Sequence, residues 1–354
     1  MREFSTEVTG RTVGLDIGDR YSHFCIVDTD GSLVEEGRVR TTESAMQRHF
    51  RNVGPMRVVL EVGTHSPWVS RLLESCGHQV LVANARKLRL IYAGDRKNDR
   101  VDARCLARVG RLDPQLLAPI RHRSGSAQAD LAVLRARDAL VRARAQLVNH
   151  VRGTVKAWGG RLPSCSTPAF PQRVHSSVPD ALLPAVDPVL ATIAELSQRV
   201  RAYDRHIEHL SATRYPETAV LRQVNGVGPL TALCYVLTLE EPNRFRKSRS
   251  VGSYLGLCPK QYASGELQRQ LRITKSGDVM LRRLLVTAAN YILGPFGPDC
   301  DLRRWGDHLI ERGGKYARQR AVVAVARRLA CLLHSMWVND TVYEPLRHSV
   351  PIAA

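Results

Sequence analysis

An aspartate interrupts the first apolar run of the chain, TVGLDIG at 12–18, and no other residue constrains the fold as much. A short apolar run bounded by turn residues reads as a strand buried in a sheet, and an uncompensated carboxylate there costs several kcal/mol. Residues 21–28 alternate apolar and polar, a Thr-Asp-Gly turn follows at 29–31, and 33–41 reads as a third strand paired in a hairpin. Helical patterns at 43–53, 68–76 and 101–112 alternate with two more strands, MRVVLEV at 56–62 and QVLVA at 79–83. The order β-β-β-α-β-α-β-α predicts a mixed α/β sheet and fits a repeated βαβ series poorly. Neither GxGxxG nor GxxxxGK[ST] occurs, so the usual phosphate-cradling loops have no support here.

Three further acids share the predicament of Asp16. Glu61 ends the apolar strand VVLEV, while Asp99 and Asp102 stand in KNDRVDARCLA at i and i+3, on one face of a helix. Like charges that converge need a cation between them, and hard divalent metals such as Mg²⁺ take carboxylate oxygens. Two strand acids followed by two acids on a later helix form the ribonuclease-H-like pattern, in which metal ions clamp the attacking and leaving oxygens of a phosphodiester. Each helical acid also has an ordinary reading: Asp99 as a helix cap, Asp102 as the partner of a neighbouring arginine. Asp19 and Asp95 read as turn residues.

The pattern changes after residue 122. Apolar residues near heptad spacing (Leu131, Leu134, Leu140, Leu147, Val151, Val155) run through 127–158, with five arginines between them. A Pro/Ser-rich loop at 161–178 ends that helix, and 187–215 forms a second amphipathic one. The pair predicts an antiparallel coiled-coil arm; an ordinary hairpin packed on a core is the alternative. The domains read as 1–122, an α/β catalytic domain; 123–216, the helical arm; and 217–354, mostly α. In the last of these, Gly226 and Gly228 read as the turn of a helix-hairpin-helix element, whose backbone N–H groups would hold a phosphate without reading sequence. The basic stretch Arg244, Arg246, Lys247 and Arg249 favours that reading.

The charge agrees with a polyanionic partner. Lys+Arg is 52 against 33 Asp+Glu, a net charge of +19, carried by 45 arginines and only seven lysines. Arginine forks onto phosphate in bidentate geometry, so the bias favours a nucleic-acid surface, although a GC-rich genome also raises arginine content. No apolar run reaches the ~20 residues of a membrane span; 321–337 is interrupted by Arg327, Arg328 and His334. The first residues have no apolar signal core. The eight cysteines lack CxxC spacing and read as reduced, mostly buried thiols of a cytoplasmic protein.

The motifs GLDIG, LEV followed by Gly-Thr, and KNDRVDARCLA together resemble the DEDD transposases of the bacterial insertion-sequence one-ten family. These are also called bridge-RNA-guided recombinases and are related to Piv-type DNA invertases. The likeness covers nearly the whole chain. It implies a RuvC-like domain, a coiled-coil insertion and a C-terminal transposase domain, with Mg²⁺ held by Asp16, Glu61, Asp99 and Asp102. One departure is EVGTH at 61–65, where members often have Glu-Ala-Thr-Gly. A second signature, GLCPKQYASGELQRQLRITKSG, places Ser264 on the family's catalytic serine, with Arg269, Arg272 and Lys275 beside a scissile phosphate. The residues alone would not select Ser264, since most Ser-Gly pairs are turns; Thr274 and Ser276 are competing hydroxyls. The likeness further implies cleavage and rejoining of donor and target DNA through a 5′-phosphoserine link. It also implies site choice by a structured guide RNA, and a composite site in a homo-oligomer from dimer to tetramer.

Three rival activities remain open on the residues. A RuvC-like hydrolytic nuclease would use metal-activated water and no serine. An actin-like ATPase would share Gly-Leu-Asp-Ile-Gly, but needs a second Asp-x-Gly strand turn that the C-terminal half lacks. A non-catalytic helix-hairpin-helix protein would have no use for four converging acids.

Overall fold

A computed structural model of the chain describes residues 10–84, 98–264 and 267–347, the side chains of 263–270 excepted. The chain divides into two compact units, Met1–Ser124 and Gly125–Ala354.

The first unit is built on β1 (Thr12–Asp16), β2 (Tyr21–Val27), β3 (Leu33–Arg40), α1 (Glu43–Arg51), β4 (Arg57–Glu61), α2 (Ser66–Ser75), β5 (Gln79–Ala83) and α3 (Asp99–Leu112). The five strands form one sheet in the order β3-β2-β1-β4-β5. The hairpin partners β1–β2 and β2–β3 are antiparallel; β1–β4 and β4–β5 are parallel, as their helical crossovers require. Alternation assigns the faces. Val13, Leu15, Val58 and Leu60 point to one side and pack with Met46, Phe50, Val69 and Leu73 of α1 and α2. Cys25, Val27 and Val59 point to the other, where Ala103, Leu106 and Ala107 of α3 cover them.

Helix α3 lies directly on β1 because neither surface carries bulk. A Cβ at Gly14 would collide with the Ala103 carbonyl and the Ala107 N–H, and one at Gly110 would enter the Val59 side chain. Only glycine permits that approach.

The second unit is mostly helical: α4 (Gly125–Ala157), α5 (Phe170–Val174), α6 (Leu183–Thr213), α7 (Thr218–Leu221), α8 (Pro229–Leu239), α9 (Arg249–Tyr254), the hairpin strands β6 (Pro259–Ser264) and β7 (Leu267–Ile273), α10 (Val279–Ile292), α11 (Asp301–Glu311) and α12 (Ala317–Asn339). Helices α4 and α6 run antiparallel. Asp130, early in α4, accepts from Arg214 (3.0 Å) and Tyr215 (2.6 Å) just beyond α6. Midway, Arg144 donates to Ser197 at 3.1 Å. Leu131, Leu134, Ile207 and Leu210 enter the main core at the base of the pair. The far end closes on its own small core, in which Val148, Val151 and Val155 meet Phe170, Val174, Val178 and Ile193. The Pro/Ser-rich connection is therefore more than a loop: it folds into α5 and short 3₁₀ turns that cap the pair.

Helix α8 is the centre of the main core. Residues 231–239 are all buried, and the Tyr235 hydroxyl donates to the Ala330 carbonyl at 2.6 Å. Among the described residues α12 is the one helix long and apolar enough to cross a membrane, and half of its apolar stretch is buried in this core. The cysteines are all free; Cys25, Cys234 and Cys300 are buried and the other five are partly exposed, fewer buried than the sequence suggests.

Candidate active site

The strand register brings Asp16 and Glu61 to one edge. Parallel pairing of Leu15 with Leu60 makes Asp16 and Glu61 the last residues of adjacent strands, and both lie at the carboxyl ends. Their side chains share a face. Gly14 meets α3, and Asp16 is two residues on; Val59 meets Gly110 of α3, and Glu61 is two residues on. Both acids therefore belong to the face that α3 covers.

The direction of α3 then places the other two. Ala103 lies over Gly14, while Gly110 lies over Thr12 and Val59, so the helix runs antiparallel to β1 and begins beyond the carboxyl end of the strand. Asp99 and Asp102 occupy its first turn. Asp99 Oδ2 stands 4.0 Å from His23 Nε2, and His23 is the cross-strand partner of Asp16. Asp16 and Glu61 thus end adjacent strands on the face that α3 covers, and Asp99 and Asp102 lie in the first turn of that helix. The helix N-terminus favours negative charge, which lowers the cost of placing two carboxylates there. Asn98, not Asp99, is the helix cap: its side chain accepts from the Arg100 N–H at 3.0 Å. Among the described residues no three acid, histidine or cysteine side chains stand within reach of a common ion. What the fold supplies is the shared edge and a donor set of hard carboxylate oxygens, which fits a divalent cation. Asp95 lies outside the described residues.

The unusual EVGTH segment adds a histidine to this rim. Trp68 Nε1 can only donate, and it donates to His65 Nδ1 at 3.1 Å. The His65 proton therefore sits on Nε2, which faces Asp19 Oδ1 at 3.3 Å. This pair ties the β1–β2 turn to the β4–α2 loop, the two loops that flank the acid edge. Asp19 is thus more than a turn residue, and its partner could be found in sequence only by the departure at 61–65. Behind it, Ser66 accepts from the Gly63 N–H at 2.9 Å and pairs with His122 at 2.9 Å, and burial pushes the His122 pKa down.

In the second unit the serine signature forms the β6–β7 hairpin, two strands within a region that reads in sequence only as mostly α. Ser264 ends β6, opposite Leu267, and the backbone of Arg269 pairs with Tyr262. The side chains of Ser264 and Arg269 lie outside the described residues. Arg272 and Lys275 are exposed at the base of the hairpin. Lys275 adopts a left-handed backbone with φ of 55°. Two glycines at positive φ hold that turn: Gly256 abuts the backbone of Ser276, and Gly277 abuts the Tyr254 carbonyl. Below them the buried Arg282 guanidinium donates to the carbonyls of Leu255 (3.0 Å) and Ser276 (2.6 Å). Thr274 and Ser276 bond each other at 3.0 Å within the turn. Gly226, with φ of 91°, backs onto Tyr291, and Gly228 is the N-cap of α8 and offers its first N–H groups no side chain.

Comparison with known proteins matches these two regions separately. A family model for DEDD transposases of the IS110 type covers residues 13–158, and one described as the transposase IS116/IS110/IS902 family covers 218–298. A protein named a probable family 20 transposase in Pseudomonas aeruginosa is 28% identical, over 94% of this chain and 98% of its own length. The transposase for insertion sequence element IS1111A of Coxiella burnetii is also 28% identical, over 94% of this chain and 91% of its own. That for element IS1328 of Yersinia enterocolitica is 27% identical, over 78% and 82%. With acids in the first matched region and the serine hairpin in the second, the chain belongs to the IS110 family of insertion-sequence transposases, enzymes that cut and rejoin DNA.

Proposed function

We propose that this chain recombines DNA by serine transesterification at a metal-assisted site, with Asp16, Glu61, Asp99 and Asp102 as the metal-holding set and Ser264 as nucleophile. The observation that carries the reading is the placement of Asp16 and Glu61 at the carboxyl ends of adjacent strands, on the face covered by the helix whose first turn holds Asp99 and Asp102. The strand order β3-β2-β1-β4-β5 supports a ribonuclease-H-like domain around it. A bound divalent cation, Mg²⁺ by the family likeness, would neutralise charge on the scissile phosphate and its oxygens.

The Ser264 oxygen forms a bond to phosphorus as the 3′ oxygen leaves and takes a proton. The phosphodiester count is unchanged, so rejoining needs no external energy source. Reversal by a different 3′-hydroxyl completes strand exchange. Arg269, Arg272 and Lys275 steady the phosphate by charge-assisted hydrogen bonds. The Gly226–Gly228 turn, read as a helix-hairpin-helix element, holds backbone phosphate, and the α4–α6 pair acts as a coiled-coil arm. Selection of donor and target by a guide RNA and assembly into a dimer or tetramer follow from the family likeness. An arginine-rich chain suits them by gripping backbones rather than reading bases.

The test is covalent trapping. Protein is incubated with Mg²⁺, RNA copurified from the native element and labelled DNA spanning the element junction, then resolved on denaturing gels. The expected result is label migrating with protein, lost in both Ser264→Ala and Asp102→Asn. Metal-dependent cleavage without an adduct, indifferent to Ser264→Ala, would establish the hydrolytic nuclease instead.

A further inference from the structure

We infer that Glu36 on β3 is a positioning residue for the helical acids, holding the first turns of α3 in place through Arg104. The inference rests on the reading of Asp99 and Asp102 as metal ligands.

The need for such an anchor follows from the α3 contact itself. Near β1 the α3 contact is made by small groups, Ala103 and Ala107 against Gly14, while Leu106 and Val59 interdigitate further along. The small-group part fixes how close helix and strand approach but adds little resistance to rotation of the first turns. Directional bonds add to it. At the far end of α3 two are present: Arg57 donates to the Gly110 carbonyl at 3.1 Å, and Arg111 donates to the Thr29 carbonyl at 2.9 Å. At the end that carries the acids, Glu36 supplies a further one. Arg104 donates to it through Nε at 2.8 Å and through Nη2 at 2.9 Å, a bidentate fork. Arg100, next to Asp99, adds a third approach at 3.4 Å.

Glu36 is well placed for this task. It is the cross-strand partner of Cys25, whose side chain packs under Ala103 and Ala107, so Glu36 looks at the same helix. Its side chain is only 11% exposed, and the Arg104 fork, helped by the Cys25 thiol, holds its carboxyl below the usual carboxylate range. With Arg104 itself 42% exposed, the resistance to rotation comes from the two-bond geometry of the fork, which a single exposed contact lacks. Arg104 follows Asp102 by two residues within KNDRVDARCLA, so a turn of helix that moves Arg104 moves both acids with it. Moving the acids changes the geometry they offer a cation, and supporting contacts of this kind typically alter metal affinity about 10–100-fold when removed.

The experiment measures Mn²⁺ binding to the full chain by electron paramagnetic resonance, beside thermal unfolding. Glu36→Gln keeps the shape and removes the charge; Arg104→Lys keeps a charge and a single bond. The expected result is Mn²⁺ affinity weakened about tenfold or more in Glu36→Gln and by less in Arg104→Lys, with unfolding displaced little in either. Affinity in both variants within about twofold of the unmodified chain, while Asp102→Asn abolishes binding, overturns the inference and leaves the metal reading standing. Binding that survives Asp102→Asn undiminished overturns the metal reading, and the inference falls with it.

Discussion

Replacing Gly14 by alanine tests the packing on which the acid edge depends. The added methyl would meet the Ala103 carbonyl and the Ala107 N–H, both backbone atoms of α3 that no rotamer change can move. A Cβ is essentially never found within 3.0 Å of such atoms, so the helix must withdraw from β1 by about 1 Å. Overpacking of this kind costs about 1–3 kcal/mol. For a unit of this size that lowers the unfolding temperature by roughly 4–20 °C. The functional effect exceeds the loss of stability, because Asp99 and Asp102 ride on the displaced turn while Asp16 stays on the strand. A misplacement near 1 Å costs about 100-fold in rate. Calorimetry of the full chain gives the first quantity, and DNA cleavage measured well below the transition gives the second. Gly54→Ala is the control, since nothing lies within 4 Å of its Cβ position. Gly14→Ala unfolding within about 2 °C of the unmodified chain, with cleavage unchanged, would refute the α3 packing argument.

Three further outcomes are expected. Arg282→Leu leaves the Leu255 and Ser276 carbonyls without that donor, at a cost of about 1–3 kcal/mol by denaturant unfolding, and strand joining falls as the Lys275 turn loosens. Lys275→Ala weakens binding evenly across DNA sequences and reduces the slope of log affinity against log salt by about one, measured by fluorescence anisotropy at several salt concentrations. Burial, with the hydrogen bond to Asp130, pushes the Tyr215 pKa up to about 12 from an ordinary 10. The stability it contributes is therefore complete below pH 10 and is lost as pH rises through about 12. The stability difference between the unmodified chain and Tyr215→Phe, followed by urea unfolding, should shrink across that interval and hold steady below it.

The first unit was largely legible because its signals are strong and local. Apolar runs, a tight Thr-Asp-Gly turn and alternation set five strands, and an acid inside an apolar run marks itself. The β6–β7 hairpin was not legible, since PKQYAS and LQRQLRI carry few β-branched or aromatic residues. The cap on the α4–α6 pair was hidden for a related reason. Phe170, Val174 and Val178 keep helical spacing, but prolines and serines dilute it, and their burial depends on partners from two distant helices. Glu36 illustrates a third limit. Within LVEEGRVR nothing separates it from Glu35; only the register with Cys25 turns one of them toward α3. The expectation for Ser264 rests on family likeness alone, because a Ser-Gly pair has no local chemistry that distinguishes it.

Anomalous diffraction from crystals soaked in Mn²⁺ tests the central claim most directly. The account predicts an anomalous peak at the carboxyl edge of β1 and β4, with carboxylate oxygens of Asp16, Glu61, Asp99 and Asp102 as its ligands. A protein saturated with Mn²⁺ whose bound ions all lie away from these four residues would contradict it.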